Sequence, residues 1–431
     1  MKNKVVNNAS WLIGCHLLQA VLNLLITMMT ARMFGPSNFG VLNYASSVVA
    51  FAFPFANLGI RNVLVQEFIS HDSFEEGEIL GTTYGLTFAS SVLSILGILA
   101  FSFVFNRNEP ETIIVCFLYG LSLIVQIFEM TSYWFLAKLK SKYSSIITLV
   151  SFLFTACYKF ILLFKGKSLR WFALSYSLDY FIIGILLVIV YKKMGGSKFS
   201  FSFAKAKDLF SRSKYYILSE LMIVIFGQTD RIMLNLMIDP SATGFYSAAL
   251  TCAGMTSFIF TAIINSFRPI IFEAHNHDDD LFSYRVTLLY SIIIYSGIIQ
   301  SFFISIFAEL IIKIIYGVAY TPAVPILRFA AWYTILSYIG PVRNIWILAE
   351  NKQRRIWIYD LLSAVLNVIL NYIMIPIFGM GGAALATLFT QLFGNVILGF
   401  LFNELRPNNK LLVKSLNPKY LFRMVRDLLE V

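Results

Sequence analysis

Met33-Phe-Gly-Pro-Ser-Asn-Phe-Gly40 returns 204 residues later as Met237-Ile-Asp-Pro-Ser-Ala-Thr-Gly244, and both read Met-x-x-Pro-Ser-x-x-Gly. Trp134-Phe-Leu-Ala-Lys-Leu-Lys140 returns 212 residues later as Trp346-Ile-Leu-Ala-Glu-Asn-Lys352, and both read Trp-x-Leu-Ala-x-x-Lys. Pro and Gly alone mark any tight turn. Two matches at equivalent places with nearly equal offsets indicate a chain built from two copies of one unit.

Around these markers the chain is apolar. Of its 431 residues 58% are hydrophobic and 13% charged, about half the ~25% charge of a soluble protein. Mean hydropathy is +0.74. A soluble globule with this balance would expose very large apolar patches. Disorder is excluded, because ample apolar surface is available to bury. A β-barrel alternates polar and apolar residues, whereas this chain stays apolar for about twenty residues at a time. The reading is an all-α polytopic membrane protein of about twelve spans: 9–31, 40–60, 81–105, 112–136, 144–164, 170–191, 215–238, 244–266, 286–312, 323–349, 357–377 and 380–402. The first span is too long and begins too late for a cleaved signal peptide.

With the N-terminus inside, 24 of the 34 basic residues fall on the cytoplasmic side and 8 outside, so the positive-inside rule puts both termini in the cytoplasm. The net charge of +11 is then a membrane-orientation signal, and no nucleic-acid partner is implied. The domain reading is 1–191, a six-helix bundle; 192–214, a cytoplasmic linker rich in Lys, Ser and Gly; 215–402, a second six-helix bundle; and 403–431, a basic amphipathic tail suited to the anionic leaflet. Six is even, so the two bundles run parallel. A pseudo-two-fold axis then lies along the membrane normal, with a central cavity between the halves, which is the plan of an alternating-access transporter.

Charges inside the bilayer cost at least ~2.5–3.5 kcal/mol and normally face a cavity or a partner. Asp230 and Arg231 are adjacent in the seventh span, with Asn235 one turn on. Neighbouring positions do not face each other on a helix. Arg231 is therefore an anion ligand in a cavity, or each charge has a packing partner on another helix. His16, Gln19 and Asn23 form one polar stripe along the first span, extended by Thr27; it lines a cavity or glues two helices. Arg343 is a further buried cation and a candidate for the substrate cavity together with Arg231, Asp230, Asn235, His16, Gln19 and Asn23. Arg61 and Arg268 occupy equivalent cytoplasmic ends and form either an inner gate or ordinary anchors. Lys159 and Asp179 fit a structural pair or a relay between neighbouring helices. Glu129 and Asp360 are also buried, and Pro54, Pro341 and Pro376 kink their spans.

The chain has no phosphate-binding Gly-x-x-x-x-Gly-Lys-Ser/Thr loop, no His-Glu-x-x-His helix and no Gly-x-Ser-x-Gly elbow. Its four cysteines lie in apolar runs without ligand spacing. The run Asp278-Asp279-Asp280 beside His275 and His277 reads as a solvated loop. These features imply a non-enzymatic protein without a cofactor or metal.

The stretch Thr30-Ala-Arg-Met-Phe-Gly-Pro-Ser-Asn-Phe-Gly-Val-Leu-Asn-Tyr-Ala45 resembles the first-loop signature of bacterial polysaccharide flippases, which move O-antigen or capsule repeat units. Gln228-Thr-Asp-Arg-Ile-Met-Leu234 with Gly244-Phe-Tyr246, Tyr316-Gly-Val-Ala-Tyr320 and Pro376-Ile-Phe-Gly-Met-Gly-Gly-Ala-Ala384 fit the same family. It belongs to the multidrug/oligosaccharidyl-lipid/polysaccharide superfamily. The resemblance implies translocation of an undecaprenyl-pyrophosphate-linked oligosaccharide across the bacterial inner (cytoplasmic) membrane. Membrane lipids, a polysaccharide polymerase and a chain-length regulator are its implied partners. Arg231 would serve as a cavity cation for the pyrophosphate. The competing reading is a cation-coupled multidrug-type efflux carrier with the same span count.

Overall fold

The computed structural model describes residues 2–70, 75–352 and 356–420, with side chains described from Leu18 onward. The side chain of His16, residues Arg354 and Arg355, and the part of the expected amphipathic tail from residue 421 on lie outside the described residues. The architecture is helical, with no β-strand among the described residues. Two compact units are present, Met1–Gln228 and Thr229–Val431.

The N-terminal unit holds α1 (Lys2–Asn57), α2 (Arg61–Ser70), α3 (Glu76–Phe105), α4 (Pro110–Gly120), α5 (Ser122–Val125), α6 (Thr131–Ala137), α7 (Ser141–Phe164) and α8 (Leu169–Lys193). A 3₁₀ turn, Gln126–Met130, joins α5 to α6. Helix α9 (Phe203–Met237) runs across the division. The C-terminal unit adds α10 (Pro240–Gly254), α11 (Ser257–His275), α12 (Asp279–Ile315), α13 (Ala323–Ala349), α14 (Ile356–Phe378), α15 (Met380–Leu392), α16 (Leu398–Leu401) and α17 (Arg406–Ser415).

Ten helical stretches among the described residues are long and apolar enough to cross a membrane. Two features separate this number from the twelve expected spans. The first two spans are continuous in α1, broken only at Gly35 (φ 75°). Helix α9 carries Glu220, Asp230 and Arg231 and falls short of the apolar criterion. The apolar side chains of these helices also face outward: Phe103, Phe164, Ile299, Phe302 and Tyr372 are exposed, as suits a hydrocarbon solvent in which only the backbone must be satisfied internally.

The first repeated motif restarts a helix at its proline in both copies but from different backbone conformations, and the second is a repeated structure. Gly35 takes a left-handed φ and Pro36 restarts the helix; at the equivalent place Asp239 is extended, caps Ala242 N–H at 2.7 Å and precedes Pro240 at the first position of α10. Proline suits that position, where its missing N–H costs nothing. The Trp-x-Leu-Ala-x-x-Lys copies end α6 and α13 in the same left-handed cap. Leu139 and Asn351 both have φ 54°. Lys140 N–H donates to Phe135 O at 2.7 Å, and Lys352 N–H to Ile347 O at 2.9 Å, the six-to-one bond of a Schellman motif. Each lysine then lies over its tryptophan ring, at 5.4 and 4.6 Å.

In the N-terminal unit α1 packs on α3, α4 and α7, and α8 on α4 and α7. Its core gathers Phe68, Leu80, Trp134, Phe135, Leu187, Tyr191 and Leu209. In the C-terminal unit α13 packs against α10, α11, α12 and α15, around Ile271, Leu289, Tyr290, Ile345, Trp346 and Tyr359. Helix α17 is held through polar groups: Tyr290 on α12 donates to Asn408 Oδ1 at 2.9 Å, and Asn409 donates to Val396 O, in the turn between α15 and α16, at 2.7 Å.

Of the stretch 192–214, residues 203–214 already belong to α9. Buried Glu67 accepts from Arg212 and lies 3.7 Å from Lys205. Hydrogen bonding to Glu67 raises the proton affinity of the Arg212 guanidinium. The extended residues before α9 lie flat on α3. Gly77 N–H donates to Ser197 Oγ at 2.6 Å, Ser200 N–H to Gly77 O at 3.2 Å, and Ser202 N–H to Thr82 Oγ1 at 3.0 Å. A Cβ on Gly77 would sit 2.1 Å from Lys198 O, so only glycine admits the strand. Gly77→Val is therefore expected to lift the segment, at a cost of about 1–3 kcal/mol for overpacking. Limited trypsin digestion of purified protein should then cut after Lys198 several-fold faster than in the wild type.

Candidate functional site

Each unit encloses a polar group of side chains among its helices. In the C-terminal unit the centre is Asp230 on α9, which is 6% exposed. Its carboxylate accepts from the Tyr246 hydroxyl on α10, from Asn371 Nδ2 on α14 at 2.7 Å and from Thr387 Oγ1 on α15 at 2.6 Å. Asn371 also donates to Asn367 Oδ1, one turn back, at 3.1 Å. All three donors to Asp230 are neutral, so they disperse the charge without cancelling it.

Successive helical residues project about 100° apart, so Arg231 leaves α9 in a different direction from Asp230. Asn235 follows one turn later on the Arg231 side. It is 5% exposed, and neither of its amide atoms is hydrogen-bonded. The Arg231 carbonyl accepts from Thr243 Oγ1 at 3.1 Å.

Arg343 is buried elsewhere in the same unit. Its Nη1 donates to Gly394 O at 2.5 Å, and its Nη2 lies 4.0 Å from Asp360. Gly394 belongs to a π-helical turn, Phe393–Ile397, which releases carbonyls from the regular ladder. From that turn Asn395 donates to Leu336 O of α13, five residues before Pro341, at 2.9 Å. Arg343 thus satisfies a carbonyl of the π-helical turn, and Asn395 ties that turn to α13.

In the N-terminal unit a cavity of about 330 Å³ is lined by Gln19, Ala20, Asn23, Glu129, Thr148, Phe152, Asp179, Tyr180 and Ile183. Four segments supply it: α1, the 3₁₀ turn, α7 and α8. Asp179 accepts from Ser151 Oγ at 2.7 Å and Thr155 Oγ1 at 3.2 Å, and Glu129 accepts from Gln126 Nε2 at 3.0 Å. Two members of the polar stripe read from the first span, Gln19 and Asn23, are brought here. Lys159 and Asp179 do not form an ion pair; the Lys159 ammonium lies over the Phe172 ring at 5.6 Å.

Arg61 opens α2 and lies over Phe53 at 4.6 Å. Beside it Glu220 accepts from Asn57 at 2.9 Å and Asn62 at 2.7 Å. Arg268 is exposed on α11. Among the described residues no group of three or more His, Cys, Asp or Glu side chains could hold a metal. Sequence reasoning missed the partners of Asp230. Asn367 and Asn371, four apart in an otherwise apolar span, were the available signal. Thr148, Phe152 and Tyr180 gave none, because a lone hydroxyl or ring in a span is ordinary.

Residues 5–275 match the family described as polysaccharide biosynthesis protein. A probable low-salt glycan biosynthesis flippase of the archaeon Haloferax volcanii is 27% identical over 220 residues, or 50% of this chain and 46% of that relative. The chain thus spans about half the length of that curated relative. Among solved structures, the lipid II flippase MurJ in an inward closed conformation aligns with a TM-score of 0.69 at 14% identity, covering 96% of this chain and 92% of that one. An inward-facing multidrug resistance MATE family transporter of the MOP superfamily aligns with a TM-score of 0.66 at 13% identity, covering 90% and 94%. The fold is shared with both.

Replacing Asp230 tests the four-helix junction. Asp230→Ala strands three buried donors at about 1–3 kcal/mol each and is expected to lower the melting temperature of the detergent-purified protein sharply. Asp230→Asn, which keeps one acceptor, should lower it less.

Proposed function

The chain belongs to the polysaccharide biosynthesis protein family, and on that premise we propose that it is a flippase for lipid-linked oligosaccharides. The cargo in this reading is an undecaprenyl-pyrophosphate-linked repeat unit, carried from the inner to the outer leaflet of the cytoplasmic membrane by alternating access. The product would be a surface polysaccharide such as O-antigen or capsule. The protein makes and breaks no covalent bond in this scheme. A polymerase and a chain-length regulator would act on the flipped unit afterwards.

The observation that carries the reading is the family match over residues 5–275, together with the name of the archaeal relative. The physical chemistry is compatible with it. A pyrophosphate needs a permanent cation in a setting that water reaches, and Arg keeps its charge where Lys would lose it. Arg231 is half-buried, lies on the least apolar of the long helices and has a buried amide, Asn235, one turn away. It is the residue we assign to the anionic head. Asp230 is then a fixed neighbour that holds α9 in place and moderates the cation's field.

A second reading is drug efflux, which the likeness to the multidrug transporter raises. The two differ in what Arg231 is for: an efflux carrier for cationic drugs gains nothing from a half-buried guanidinium. Arg231→Ala is expected to reduce surface polysaccharide at least about tenfold in cells where it replaces the wild-type chain, with unchanged protein in the membrane fraction. Arg231→Lys should retain part of the activity. Undiminished polysaccharide would remove Arg231 from the site. Drug hypersensitivity with normal glycan would favour the efflux reading.

A further inference from the structure

We propose that the cavity of the N-terminal unit is a sugar-binding site that accepts a neutral or amino-substituted sugar ring and rejects an acidic one. This rests on the cargo being a lipid-linked glycan, but it does not depend on Arg231.

At about 330 Å³ the cavity falls at the lower end of the ~300–1,000 Å³ typical of small-molecule sites. Its lining has the mixture that a sugar ring requires. Glu129 and Asp179 offer carboxylate oxygens, Gln19 and Asn23 offer both donors and acceptors, and Phe152 and Tyr180 offer ring surfaces. A carboxylate has about four lone-pair positions. Asp179 uses some for Ser151 and Thr155, and Glu129 uses one for Gln126. These wall contacts hold the two carboxylates in place and leave acceptor positions for hydroxyl groups. Groups already held in position lose little freedom on binding.

The charge pattern sets the selectivity. Two carboxylates face the cavity, and among the described residues no Lys or Arg lines it. The cation on the same helix as part of the lining, Lys159, lies over the Phe172 ring at 5.6 Å and interacts with Asp179 through space without closing an ion pair, so the two carboxylates are offset only in part. A hexuronate or phosphate substituent would bring a third negative charge into this space, in surroundings where like charges repel far more strongly than in water. An ammonium group would be drawn between the two carboxylates.

The test uses the full chain in nanodiscs and isothermal titration calorimetry with two disaccharides, one of neutral N-acetylhexosamines and one containing a hexuronate. The wild type is expected to bind the neutral sugar at least about tenfold more tightly, a difference of about 1.4 kcal/mol. Glu129→Gln and Asp179→Asn should each shrink that ratio, and Phe152→Ala should weaken both sugars. Thr148→Leu, which fills the cavity from α7 without altering charge, should abolish binding and guards against a misfolded carboxylate variant. Equal binding of the two sugars by the wild type would overturn the inference. So would a response to sodium ions alone that these variants remove. If the variants leave sugar binding unchanged while cells still export glycan, only this site falls. If cells with the wild-type chain export none, the flippase reading falls instead.

Discussion

One carboxylate joins four helices of the C-terminal unit. Asp230 on α9 receives hydrogen bonds from α10, α14 and α15, and none of the three donors carries charge. In a hydrocarbon solvent, polar groups have few alternatives to one another. The position of α9 is therefore set by chemistry more than by apolar packing, and this is the helix that carries the proposed anion ligand. The same principle recurs around it. Arg343 satisfies a carbonyl of a π-helical turn, Asn395 ties that turn to α13, and buried Asn408 and Asn409 fasten α17. Apolar contact brings the helices together; polar contact decides their register.

The fold was largely legible because hydrocarbon burial acts on long runs of residues. Twelve apolar runs were visible, and all twelve fall on helical segments. The paired motifs were legible for a related reason. Turns and caps demand particular residues, so Gly35-Pro36 and Asp239-Pro240 carry the same instruction, and so do the two Trp-x-Leu-Ala-x-x-Lys caps. Breaks inside spans were hidden. The run 244–266 divides into α10 and α11, and the run 112–136 contains a 3₁₀ turn, because hydropathy records burial and not backbone hydrogen bonding.

The polar groups were only half legible. A charge inside an apolar run is conspicuous, so Asp230, Arg231, Asp179 and Glu129 stood out. Which of them meet is a three-dimensional fact. Asp179 is hydrogen-bonded by Ser151 and Thr155 of α7, and the Lys159 ammonium lies over the Phe172 ring without closing an ion pair to it. Gln19 and Asn23 belong to the cavity of their own unit. The stripe they form was visible at helical spacing, but its partners were spread over three further segments of the chain.

The stretch between α8 and α9 has a different lesson. It has the composition of a tether, yet it lies in a trough floored by Gly77 and is tied down at Ser197, Ser200 and Ser202. The charged latch at Glu67 begins only a few residues later. Its length is thus matched to a fixed track. Insertions that any loose connector would absorb would here carry Lys205 and Arg212 out of step with Glu67, so a gene fusion or epitope placed in this stretch would act as a frame error in three dimensions.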